Sequence, residues 1–121
     1  MKNVIAFVLL TGLLFSFPLE TSSQDFNKFL GNWSFNTPNA AYGYQTGTLT
    51  LTEEGSEIKG EVKFTDGYMV DLKEIEFNSN ELSFSITVDY ENIKVKMTLE
   101  NDRLTGKVDT SEGILEVTAE R

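Results

Sequence analysis

From residue 30 onward the chain alternates apolar and polar residues, and turn-forming residues interrupt that alternation roughly every 8–12 positions. A period of two places successive side chains on opposite faces of a strand, so this pattern buries one face of a sheet and wets the other. Trp33 and Phe35 share one face of the first segment. Gly47, Leu49 and Leu51 share a face of the second, and Ile58, Gly60, Val62 and Phe64 a face of the third. The fourth begins on Tyr68, Val70 and Leu72, then changes parity to Ile75 and Phe77, as a β-bulge near Lys73-Glu74 would produce. Leu82, Phe84, Ile86 and Val88 make the fifth, and Ile93, Val95, Met97 and Leu99 the sixth. Leu104, Gly106 and Val108 form a short seventh; Leu115, Val117, Ala119 and Arg121 close the eighth.

Between these segments lie Glu54-Gly55, Asp66-Gly67, Asn78-Ser79-Asn80, Tyr90-Glu91-Asn92, Asn101-Asp102 and Ser111-Glu112-Gly113, short turns suited to hairpins. The expected fold is all-β: an eight-stranded up-and-down antiparallel barrel with at most one short N-terminal helical turn, over residues 25–30 and capped by Asp25. Closure removes both exposed sheet edges. A Greek-key sandwich is the alternative, but it needs a long crossover, and the longest candidate connection is only residues 36–42.

The N-terminus obeys different rules. Lys2 precedes an apolar run over residues 4–17, Pro18 ends it, and Thr21-Ser22-Ser23 supplies small residues for a peptidase. That is the order of a secretory signal, expected over residues 1–23 with cleavage after Ser23 or, nearly as well, after Gln24. The run of about 14 residues is shorter than the roughly 20 a membrane-spanning helix needs. The expected product is one domain over residues 24–121, secreted or periplasmic, monomeric, without stable membrane insertion.

Composition closes several function classes. Among 121 residues there is no cysteine and no histidine, and the net charge is −9. A disulfide scaffold, a thiol nucleophile, a cysteine-ligated zinc site and a serine–histidine triad are excluded. The acidic balance argues against nucleic acid as a partner. Glu53, Glu54 and Glu57 cluster in one turn, Asp89 and Glu91 flank another, and Asp109 and Glu112 flank a third. No calcium-loop spacing or glycine-rich phosphate loop is present, so these acids read as solvated turn residues. No catalytic residue, metal or cofactor is expected, and the protein reads as a non-enzyme.

Gly31-Asn32-Trp33 is a G-x-W on the first strand, directly after the possible helical turn, and Arg121 ends the last strand with inward parity. This resembles the calycin-type barrels: lipocalins, fatty-acid-binding proteins and avidins. It is also similar to the small G-x-W barrel domains of exported bacterial proteins, with hairpins such as Ile58-Lys59-Gly60, Leu82-Ser83-Phe84 and Leu104-Thr105-Gly106. The resemblance covers residues 29–121. It implies a structural barrel floor of Gly31, Trp33 and Arg121, the guanidinium packing across the indole. The chain is shorter than a typical lipocalin and lacks its C-terminal helix.

An eight-stranded barrel is either filled by side chains or holds one small molecule. With Trp33, Phe35, Phe64, Phe77, Phe84 and Met97 all pointing inward, a largely filled core is the default. Against it stand the inward glycines Gly47, Gly60 and Gly106, read as leaving space along one wall, and Tyr42, Tyr44 and Tyr68, suited to the rim of a mouth. The functional expectation is a small apolar or amphipathic ligand in a shallow mouth lined by Tyr42, Tyr44, Tyr68, Phe64, Phe84 and Met97. The alternative is a filled barrel that docks on another exported protein or a surface glycan.

Overall fold

The computed structural model describes residues 26–121; the expected signal segment and Asp25 lie outside the described residues. Nine antiparallel strands form one sheet: β1 (Gly31–Asn36), β2 (Thr46–Glu54), β3 (Glu57–Phe64), β4 (Met69–Asp71), β5 (Lys73–Asn78), β6 (Glu81–Val88), β7 (Glu91–Glu100), β8 (Arg103–Thr110) and β9 (Gly113–Glu120). Their order is β4-β3-β2-β1-β9-β8-β7-β6-β5, a meander in which β1 pairs with β9. The two end strands of that sheet are consecutive in the chain, separated only by Leu72. The stretch 69–78 therefore spans the seam, and the sheet curls into a nearly closed barrel.

The count corrects the expected eight, because the fourth segment is divided. Its first part pairs with β3 (Val62↔Val70) and its second with β6 (Phe77↔Leu82). Between them the Leu72 N–H donates to the Gly60 carbonyl at 3.0 Å, and the Leu72 side chain turns into the core. Leaving one neighbour and joining another requires a bend. It is completed by a register shift between Lys73 and Glu76, with Glu74 at φ 55°. That is the parity change seen at Lys73-Glu74. Ser85, buried opposite, donates its hydroxyl to Glu74 Oε1 at 2.8 Å and so keeps its polar atom satisfied.

The β6–β7 connection is tighter than expected, and the β7–β8 connection is the two-residue turn expected. Asp89 and Tyr90 (φ 52° and 68°) make the whole β6–β7 turn, so Glu91 and Asn92 belong to the strand. Asn101 and Asp102 (φ 53° and 65°) make the β7–β8 turn in the same way. Positive φ at both central residues is the two-residue hairpin geometry that follows strand twist. β8 runs eight residues, as long as β9, and is not the short strand expected. The helical turn is a 3₁₀ turn over Asn27–Phe29, preceded by Phe26 and without a side-chain cap.

Alternation of direction sorts the connections between two ends. Residues 55–56, 79–80 and 101–102 turn at the end where β1 begins; the loop 37–45 and the turns at 65–68, 89–90 and 111–112 sit at the other. The first end is sealed. Phe29, Trp33, Leu51, Leu82 and Leu104 are fully buried there, and the 3₁₀ turn plugs it, Phe29 and Phe26 packing on Phe77 at ring-centroid distances of 5.1 and 5.7 Å. Trp33 Nε1 donates to the Phe29 carbonyl at 2.9 Å, which ties plug to barrel.

Candidate functional site

The floor is built from both ends of the described chain. Arg121 Cζ lies 4.2 Å from the Trp33 ring centroid. Its Nη1 donates to the Leu30 carbonyl at 3.0 Å, and Nε and Nη2 both donate to Asp102 Oδ1, Nε at 3.2 Å. Gly31 sits at φ 122°, a conformation that favours glycine, with open space where a Cβ would project. The glycine of G-x-W thus sets the entry angle of β1.

The opposite end is not filled. A cavity of about 420 Å³ opens there, corrected from the expected packed core. Its walls are mainly Val62, Val88, Val95, Val108 and Val117 with Ile86, Ile93 and Leu115. These short side chains reach only part of the way across, whereas the sealed end is crossed by Trp33, Phe29 and leucines.

The inward glycines do not make this room. A Cβ on Gly47 would strike the Lys63 carbonyl and the Phe35 ring, one on Gly60 would meet Leu72 and Leu51, and one on Gly106 would run into the Lys96 carbonyl and Met97 backbone. All three mark close approach of neighbouring groups.

Of the residues expected at the mouth, Tyr44, Phe64, Phe84 and Met97 line the cavity; Tyr42 and Tyr68 do not. Phe64 centres an aromatic wall: Tyr44 and Phe35 meet it edge-on at 5.0 and 5.8 Å, and Tyr68 stacks on it at 6.0 Å. Tyr68 therefore backs the wall from outside. Tyr42 is 96% exposed, carried away from the opening by its loop. That loop is braced by Gln45, whose Nε2 donates to the Pro38 and Ala40 carbonyls at 3.1 and 3.3 Å, and it hangs Thr37, Asn39, Ala40 and Ala41 over the mouth.

The Tyr44 hydroxyl reaches across to Asp89 Oδ2 at 2.8 Å, joining the overhanging loop to the β6–β7 turn. This bond holds the phenol above the usual tyrosine range of 10.0. Desolvation and the negative charge of Asp89 act in the same direction, with smaller contributions from Tyr68 and Asp66.

Three acids read from the sequence as solvated turn residues, Asp89, Glu91 and Glu112, line the opening, and no lysine or arginine does. Sequence paired them only within their own turns. The available signal was topological, since alternate hairpins of a meander share an end. Among the described residues no group of three acids is placed to hold a metal ion, and no helix is long and apolar enough to cross a membrane.

No family model matches the chain, and no curated protein matches it. Solved structures do. A point mutant of the fluorescent protein UnaG superposes with a TM-score of 0.52 at 10% identity, over 78% of this chain and 96% of that one. A second UnaG mutant gives 0.50 at 11% identity, over 78% and 96%. A de novo designed fluorescence-activating β-barrel gives 0.52 at 19% identity, over 80% and 97%. Likeness at these identities is likeness of fold. The chain shares the fold of these antiparallel β-barrels.

Proposed function

We propose that this protein is an exported, non-enzymatic carrier that holds one small apolar or amphipathic molecule in the open end of its barrel. The observation that carries the reading is the cavity of about 420 Å³, apolar along its walls and polar only at its rim. Ligand sites share that arrangement and fall in the range of about 300–1,000 Å³. The fold likeness to a fluorescent protein and to a fluorescence-activating barrel adds support. The docking-module alternative has as its premise a filled interior, which a cavity of this size disfavours. The missing cysteine and histidine support a binding role over catalysis. Export rests on the leader pattern of residues 1–23, and the mass of the protein from its host's periplasm or medium tests it by starting at Gln24.

The binding test is native mass spectrometry of the protein from its own host, beside titration of the full chain with the neutral fluorophore N-phenyl-1-naphthylamine. An adduct or saturable fluorescence enhancement is expected, and Val95→Phe, which puts a ring into the cavity, should reduce the enhancement at least about fivefold. Absence of both adduct and enhancement would falsify the carrier reading.

A further inference from the structure

The charges around the opening are one-sided. Asp89 and Glu91 at the β6–β7 turn and Glu112 at the β8–β9 turn line it, and the lining contains no basic residue. The ion pairs among the described residues lie elsewhere, as Arg103–Glu120, Lys107–Glu116 and Arg121–Asp102. The rim carboxylates instead accept from neutral groups, Asp89 from the Tyr44 hydroxyl and Glu91 from the Ser111 N–H. A carboxylate or phosphate headgroup held there would face three negative charges with no cation to receive it.

The aromatic residues make the same choice independently. All four tyrosines of the chain fall in the loop 37–45 and the turns at 65–68 and 89–90, at the open end. Tyr44 lines the cavity, while Tyr42 and Tyr90 are almost wholly exposed on connections of the same end, outside its lining. The face of an aromatic ring attracts an organic cation. The rim acids stand on the two neighbouring turns β6–β7 and β8–β9, Glu91 accepting from Ser111 beside Glu112, so one side of the opening is negative, and no three of them are grouped as metal ligands are.

Resting on the carrier reading, we propose that the ligand is a small organic cation: one apolar chain or ring system seated in the cavity and an ammonium group at the acidic, tyrosine-bearing mouth. Decylammonium, decanol and decanoate share one chain and differ in the head. Each is titrated below its micellar concentration into the full chain, and its affinity is read from displacement of N-phenyl-1-naphthylamine.

Decylammonium should bind about tenfold or more tightly than decanoate, and the gap should narrow as salt is raised. In a Glu91→Gln/Glu112→Gln variant the ratio of decylammonium to decanol affinity should fall severalfold. If that variant does not fold, the salt dependence of the unaltered chain decides by itself. Decanoate or decanol binding as tightly as decylammonium overturns the cationic class and leaves the carrier reading standing. Failure of all three, together with no uptake of the fluorophore, overturns both.

Discussion

Arg121 closes the barrel on Trp33: its guanidinium lies 4.2 Å from the indole centroid while reaching the Leu30 carbonyl and the Asp102 carboxylate. One side chain thereby ties the last residue to the start of β1 and to the β7–β8 turn. A cation over an indole contributes about 0.5–2 kcal/mol, and a hydrogen bond to a charged group about 1.5–3. Arg121→Ala should therefore destabilise the fold by about 2–3 kcal/mol in urea unfolding. Arg121→Lys should recover less than half of that, since an ammonium has no planar fork to meet ring, carbonyl and carboxylate together.

The inward glycines rank by what they touch. At Gly106 a methyl group would meet the Lys96 carbonyl and Met97 backbone, which cannot move without shifting β7. At Gly60 the nearest atoms are the Cδ2 methyls of Leu72 at 2.7 Å and Leu51 at 2.9 Å, although the Thr50 carbonyl follows at 3.0 Å. Gly106→Ala should cost about 3 kcal/mol or more and Gly60→Ala about 1–2 kcal/mol, read as the difference in midpoint of thermal or urea unfolding. Equal costs would mean that side-chain ends at Gly60 are as immovable as backbone.

These glycines show where sequence stops informing. Absence of a side chain is one symbol for two opposite situations, free space and forced contact, and only the neighbours distinguish them. The alternation of Leu82, Phe84, Ile86 and Val88, by contrast, states directly which face is buried, and the parity change at Lys73-Glu74 marks where the strand leaves β3 for β6. Cavity volume was not legible, because it depends on whether the valines at one end reach each other across the barrel. Nor was the acidic rim, since each turn reads as solvated until topology gathers several at one end. Tyr42 lies in an irregular loop, where no periodicity assigns a direction.

The Tyr44–Asp89 bond gives a titration with a definite sign. The folded-state phenol is raised above 10.0, so the neutral form is the one stabilised. Its contribution is fully present below the unfolded value and is lost as pH rises through the folded one. Tyrosinate absorbance should show a phenol ionising later than in the unfolded chain, and Asp89→Asn should bring that phenol back toward 10.0. Asparagine keeps the positive-φ turn and removes the charge. The stability advantage of the unaltered protein over this variant should shrink as pH rises through the alkaline range above that value. An advantage that stays constant through that range would assign the bond another role.

Two residues on the same face of β8 should respond in opposite ways. Leu104 is fully buried at the sealed end, where Trp33 and Leu82 leave no slack. Truncating it opens a void that surrounding strands cannot collapse into, so Leu104→Ala should cost about 2–5 kcal/mol. Val108 stands four residues on, half-buried and facing the cavity. An added methylene there enters empty space, so Val108→Leu should change stability by no more than about 0.5 kcal/mol. The same methylene takes volume from the cavity, and the affinity for N-phenyl-1-naphthylamine should drop while the unfolding midpoint holds. Were Val108→Leu as costly as ordinary overpacking, about 1–3 kcal/mol, the open end would have to be tighter than 420 Å³ of free space allows.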